Sequence, residues 1–274
     1  MFAYSFMRLA FAVGILLAIA IPLVGSTAVF KRLSMAGDAL AHTSLAGVAI
    51  GLAAGTNPLY VAVIACVVAF LIIELIRKKF QKFSELGVAV VLSAGVAIAG
   101  VMTSFTTAAN FEQYLFGSIV LVSMDELYIT IALVAVVVLA YLFFHEQILA
   151  SIYSEDEAKI QGVKPELINL AHSLLLSLVI AISSKIIGSM VVSSLIVLPV
   201  ACALQLKRNY LWTILSSIGF SLVSVTSGLV ASYYLDLRPG ATIVSVNVAI
   251  LLVLLLVSQS LSYVKKRRSL AKRE

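Results

Sequence analysis

Residues 31–55 read KRLSMAGDALAHTSLAGVAIGLAAG. From Ser34 onward the stretch is almost wholly apolar or small, yet it holds a carboxylate, Asp38, and an imidazole, His42. An apolar run of about 20 residues is the length that crosses a bilayer as a helix. The basic pair Lys31-Arg32 in front of it is the flank such helices carry on the cytoplasmic side. Ionisable groups inside a span are expensive and are retained where they act. The stretch therefore reads as a membrane helix with chemistry on one face.

The rest of the chain agrees. Of 274 residues, 62% are hydrophobic and only 12% charged, about half the charged share of a soluble domain. A water-facing surface cannot be built from that composition, so the chain is expected to be a polytopic, all-α integral membrane protein, a single domain over residues 1–274. The net charge of +6 does not indicate nucleic-acid binding, because the basic residues sit in short clusters between apolar runs. Nine spans are predicted, at 8–30, 35–55, 58–76, 84–104, 125–145, 165–184, 186–206, 209–235 and 240–263. The count falls to eight if 165–184 and 186–206 divide differently. The stretch Phe111 to Ser123 is too short to cross and reads as re-entrant or interfacial. The first apolar run, Met7 to Phe30, is too long for a signal-peptide core and has no small-residue cleavage site after it. Cys66 and Cys202 lie singly in apolar spans and read as small membrane-helix residues.

Basic clusters fall on alternate loops: Lys31-Arg32, Arg77-Lys78-Lys79 with Lys82, Lys207-Arg208, and the tail 265–274. The positive-inside rule then places the N-terminus outside and the C-terminus in the cytoplasm. No GxxxxGK[ST] phosphate loop occurs, nor GxSxG, HExxH or a CxxC pair, so neither nucleotide hydrolysis nor an enzyme active site is expected of this chain.

Two patterns share the quoted helix. Asp38 and His42, four apart, lie a turn apart on one face. They can take one divalent cation as oxygen and nitrogen ligands, or form a buried ion pair or cap. Gly47, Gly51 and Gly55 form a GxxxGxxxG run that permits close helix contact. At 100° per residue the glycines lie half a turn from the Asp/His face, so packing and chemistry occupy opposite sides. Elsewhere, Glu74 pairs naturally with Arg77 or Lys78, and His172 is expected to be a packed or hydrogen-bonded residue. The segment Ser154-Glu155-Asp156-Glu157-Ala158-Lys159-Ile160-Gln161-Gly162-Val163-Lys164 is charged and amphipathic. It is a solvated connector or a docking element, and docking gains weight in a chain with no engine of its own.

These residues resemble the permease subunits of the ABC importers for zinc, manganese and iron. Residues 31–49 are similar to that family's GDxxxH signature, Leu115-Phe116-Gly117-Ser118-Ile119 to its short LFGSI element, and Glu157-Ala158 with Gly162 to the importer coupling motif. Tyr233-Tyr234-Leu235-Asp236 with Pro239-Gly240-Ala241-Thr242-Ile243-Val244 is like its last outer loop. The resemblance implies a helical permease forming a two-fold homodimer in the bacterial plasma membrane. Cytoplasmic ATPase subunits would dock at about 153–164, through Glu155, Asp156, Glu157, Ala158 and Gly162. An extracellular metal-binding lipoprotein or periplasmic protein would deliver the ion. It further implies that Asp38 and His42 contact the metal in transit, with no permanently bound cofactor. Manganese-type members often read SHAVLPG where this chain has Ala41-His42-Thr43-Ser44-Leu45-Ala46-Gly47, so the form here is more like the zinc type. The rival classes are a manganese or iron permease of the same build, a secondary carrier or channel that uses Asp38 for ion coupling, and a membrane anchor.

Overall fold

The computed structural model describes residues 4–80, 84–105, 117, 119, 122–160, 162 and 164–270. Ten helices are formed among them: α1 Ser5–Phe30, α2 Ser34–Ala53, α3 Pro58–Lys79, α4 Ser84–Thr103, α5 Met124–Tyr153, α6 Glu155–Ile160, α7 Pro165–Ile187, α8 Ser189–Leu204, α9 Tyr210–Leu235 and α10 Pro239–Leu270. No strand occurs among the described residues. Helices are forced by the solvent: in hydrocarbon every backbone N–H and C=O must find its partner within the segment.

Eight of these helices are long and apolar enough to span a membrane, and α8, at 16 residues, is apolar but shorter. The predicted span 186–206 is therefore a short helix. It is divided from α7 at Gly188, whose φ of 92° lies where glycine alone is at ease. Residues 106–116, 118, 120 and 121, which include most of the predicted short element, and 271–274 lie outside the described residues.

Helix ends follow local chemistry. Asn57 caps α3 by accepting from the Leu59 N–H at 3.0 Å, with Pro58 at the first helical position. Asn209 caps α9 through the Trp212 N–H, and Ser123 with Glu126 closes a reciprocal capping box on α5. The α1–α2 joint is only three residues long and is fully bonded. Leu33 N–H donates to the Ala28 carbonyl and Arg32 N–H to that of Val29, with Arg32 left-handed at φ 58°. This is the Schellman pattern, and it makes the joint stiff.

α1, α2 and α7 form the interior, and α3, α4, α5 and α10 the periphery. Peripheral side chains such as Leu142, Phe143 and Leu256 are exposed, as suits residues solvated by lipid. With apolar groups on both sides, cohesion comes from close fit and from hydroxyls. Ser26 shares a hydrogen bond with Ser217, Ser44 with Ser184, and Ser224 donates to Asn247. Thr27 on α1 lies 2.8 Å from the Tyr141 hydroxyl on α5 and 3.1 Å from that of Tyr210 on α9. Thr27 thus pins the last turn of α1 to α5 and to the start of α9, and Ser44 joins the middle of α2 to the end of α7.

Candidate metal-transfer site

Asp38 and His42 are the fifth and ninth residues of α2, so His42 stands about 12 Å along the helix from its start. Asp38 Oδ1 and His42 Nε2 are 3.7 Å apart. Bonds of about 2.0–2.1 Å from both atoms to one divalent ion would enclose an angle of about 130°, and a side-chain shift of a few tenths of an ångström would give the tetrahedral value. The pair can therefore share one ion without backbone movement. Among the described residues no third His, Cys, Asp or Glu joins them, so the described residues offer two such ligands at this position.

The pair lies open. Asp38 is 47% and His42 24% exposed at the side chain, and with the exposed Met35 they form a stripe at i, i+3 and i+7 on a helix otherwise mostly buried. Opposite them, Gly47 and Gly51 meet α3: a Cβ would come within 2.7 Å of the Ala62 Cα and 2.8 Å of the Pro58 Cα. Gly55 does not share that role, and the expected three-glycine packing face ends at Gly51. With φ of +65° and open space around it, Gly55 is the left-handed cap of α2; its N–H donates to Leu52 O and that of Thr56 to Gly51 O.

The acidic segment forms α6. Ser154 caps it by accepting from the Glu157 N–H at 3.2 Å. Ala158 is fully buried against the bundle while Asp156, Glu157 and Gly162 are exposed, so the short helix lies on the bundle by its alanine and turns its acids outward. Gly162, at φ +77°, makes the turn back toward α7. Of Glu155 only the backbone is described, and Gln161 and Val163 lie outside the described residues. α6 packs on α5 and α7.

Other sequence readings resolve simply. Glu74 pairs with Arg77 at 3.2 Å. His172 is buried edge-on to Tyr141, packed but with neither ring nitrogen hydrogen-bonded among the described residues. Gly117, from the short LFGSI stretch, approaches the Ile187 carbonyl so closely that a Cβ would lie 2.1 Å from it; of its neighbours there, only Ile119 is described. Two polar arrangements were not foreseen. Lys185 on α7 holds Glu126 on α5 at 2.9 Å, and the Lys31 ammonium donates to Ser151 on α5 at 2.9 Å and to Asn169 on α7. The basic pattern marked Lys31 only as a flank.

Against known proteins, the chain matches the model of the "ABC 3 transport family" over residues 3–258. It is 38% identical over 260 residues to a probable metal transport system membrane protein of Treponema pallidum, covering 94% of this chain and 98% of that one. It is 27% identical to the manganese transport system membrane protein MntC of Listeria monocytogenes, over 96% of this chain and 95% of that one. It is 28% identical to the high-affinity zinc uptake system membrane protein ZnuB of Haemophilus influenzae, over 84% and 89%. The solved structure of PsaBC from Streptococcus pneumoniae in complex with Fab superposes with a TM-score of 0.82 at 23% identity, covering 92% of this chain and 91% of that one; this likeness concerns the fold. A bundle of eight spanning helices, with no nucleotide-binding loop in its sequence, is here the membrane permease of a transport system: the chain belongs to the ABC 3 transport family.

Proposed function

We propose that this chain is the membrane-spanning subunit of an ATP-driven importer of divalent transition-metal ions, with zinc as the cargo. The observation that carries the proposal is the Asp38–His42 pair, 3.7 Å apart and partly exposed on an apolar helix. An oxygen and an imidazole nitrogen suit borderline divalent ions, and such a site binds zinc more tightly than manganese. Two ligands leave an ion partly hydrated, weakly enough held to be released. Ligands of this kind cannot face lipid cheaply, which supports a second copy of the chain closing the stripe and bringing its own pair. The Listeria and Haemophilus relatives, named for manganese and zinc, stand at nearly equal identity, 27% and 28%, so the preference for zinc rests on ligand chemistry.

The outward acids of α6 support docking of a separate ATPase at that end of the bundle. Basic clusters at the same end support its placement in the cytoplasm of a bacterial cell, with the C-terminus inside. A binding protein would then deliver the ion at the opposite face, near 56–58, 105–124 and 236–240, the middle stretch lying mostly outside the described residues.

Uptake of labelled zinc and manganese tests this in cells lacking their own importers and carrying the chain with its cognate partners. Zinc entry should be lost with Asp38→Ala, with His42→Ala and with a hydrolysis-dead ATPase, at unchanged membrane levels of the chain. Manganese entry in place of zinc would reverse the cargo assignment. Entry that survives the dead ATPase would make the chain a secondary carrier.

A further inference from the structure

Lys31 is the last residue before the chain turns from α1 into α2, and its side chain leaves its own helix. The ammonium donates to Ser151 Oγ, two residues from the end of α5, and to Asn169 Oδ1, in the second turn of α7. Those two helices are the ones that enter and leave α6. The acceptors are prepared: Ser151 spends its own proton on the Ile148 carbonyl at 2.8 Å, which leaves its oxygen lone pairs to Lys31. Bonds from an ionised donor are about twice as strong as neutral ones, and these lie in partly buried surroundings. One turn back, Thr27 binds the Tyr141 and Tyr210 hydroxyls, so the last turn of α1 is fixed to α5, α7 and α9 at once.

On the other side of Lys31 lies the three-residue Schellman joint, whose backbone bonds leave little slack. Asp38 follows seven residues later and His42 eleven. A shift of the end of α5 and the start of α7 would therefore reach the start of α2 as a displacement. α7 also touches α2 further along, where Ser184 meets Ser44. A cation serving only as a helix C-cap would turn back to its own carbonyls; these two bonds go to other helices.

We infer that Lys31 is a positioning residue for transport: it ties the two helices flanking α6 to the joint from which α2 emerges, and passes movement of α6 to the helix bearing Asp38 and His42. The inference rests on the importer reading above. Its test is to measure ATP hydrolysis and labelled-zinc uptake in the same proteoliposomes, holding the chain with its cognate ATPase and binding protein. Lys31→Met should keep hydrolysis within about twofold while zinc moved per ATP falls about tenfold, the size of a typical intersite coupling. Asn169→Leu should act the same way, and the double variant should be no worse than either single one. An unchanged ratio of zinc to ATP in Lys31→Met would overturn the inference, as would hydrolysis and uptake falling in equal proportion, the mark of a merely structural residue. Should Lys31→Met fail to assemble, the same ratio in Asn169→Leu and Ser151→Ala decides. A wild-type complex that moves no zinc or manganese under ATP would instead sink the importer reading itself.

Discussion

A methyl group added at Gly47 would sit 2.7 Å from the Cα of Ala62, and one at Gly51 2.8 Å from the Cα of Pro58. Backbone cannot retreat as a side-chain tip can, so Gly47→Ala should cost about 2 kcal/mol through overpacking. Gly55→Ala should cost about 1 kcal/mol for a different reason, the left-handed φ of +65°. Gly219→Ala, with nothing within 4 Å, should be neutral or stabilise α9 by about 0.5 kcal/mol. Thermal unfolding of the three variants in detergent checks this order; a Gly219→Ala loss as large as that of Gly47→Ala would refute it. The spacing of four made Gly47 and Gly51 legible as a contact face. The same spacing misassigned Gly55, because periodicity continues past a helix end and a left-handed cap has no period. Asp38 and His42 were legible because ionisable groups stand out against hydrocarbon. Lys31 was not, since a lysine beside a span satisfies the positive-inside pattern whether or not its ammonium binds anything.

Hydropathy located each spanning helix to within a few residues except at three places, one of them the end of α10, which runs to Leu270, seven residues beyond its predicted end. α5 runs to Tyr153, eight residues beyond its predicted end, because His145-Glu146-Gln147 reads as a polar boundary while the backbone continues helical as far as Ser154. α8 is shorter than predicted, because Gly188 takes a φ that no apolar scale records. α5 and α7 are also joined at the end remote from α6. There Glu126 completes the α5 capping box and accepts from Lys185 at 2.9 Å, both side chains being about one-fifth exposed. Lys185→Met leaves that carboxylate short of its cation and should destabilise by about 2 kcal/mol, whereas Ser123→Ala removes one cap bond and should cost about 1 kcal/mol. Lys185→Arg should remain near wild type. Midpoints of thermal inactivation in micelles give the ranking, and a Lys185→Met protein as stable as Lys185→Arg would remove the pair from the account of how α5 and α7 hold together.

At the scale of the molecule, the chain keeps α1, α2 and α7 inside and leaves the stripe of Met35, Asp38 and His42 open. Pairing through that stripe predicts that Met35→Cys chains cross-link to each other in native membranes with a short bifunctional maleimide. The native thiols should stay silent, because Cys66 and Cys202 are both free and buried. Leu256→Cys, on the outer face of α10, is the contrast, and efficient cross-linking there with none at Met35 would move the dimer axis elsewhere. This scale was the least legible in the sequence, since lipid-facing and partner-facing surfaces draw on the same apolar residues, and the pairing face is proposed only from the acid and the imidazole. The open stripe also bears on the life of the protein before it works. Under the pairing proposed above, a newly inserted chain without a mate would expose a carboxylate and an imidazole where lipid makes them costly. If the proposed pairing covers the stripe, an unpaired copy would be the costlier state in the membrane and the sooner removed. In a pulse-chase, the half-life of the chain should lengthen as its synthesis rises, and Asp38→Asn should lengthen it at low synthesis.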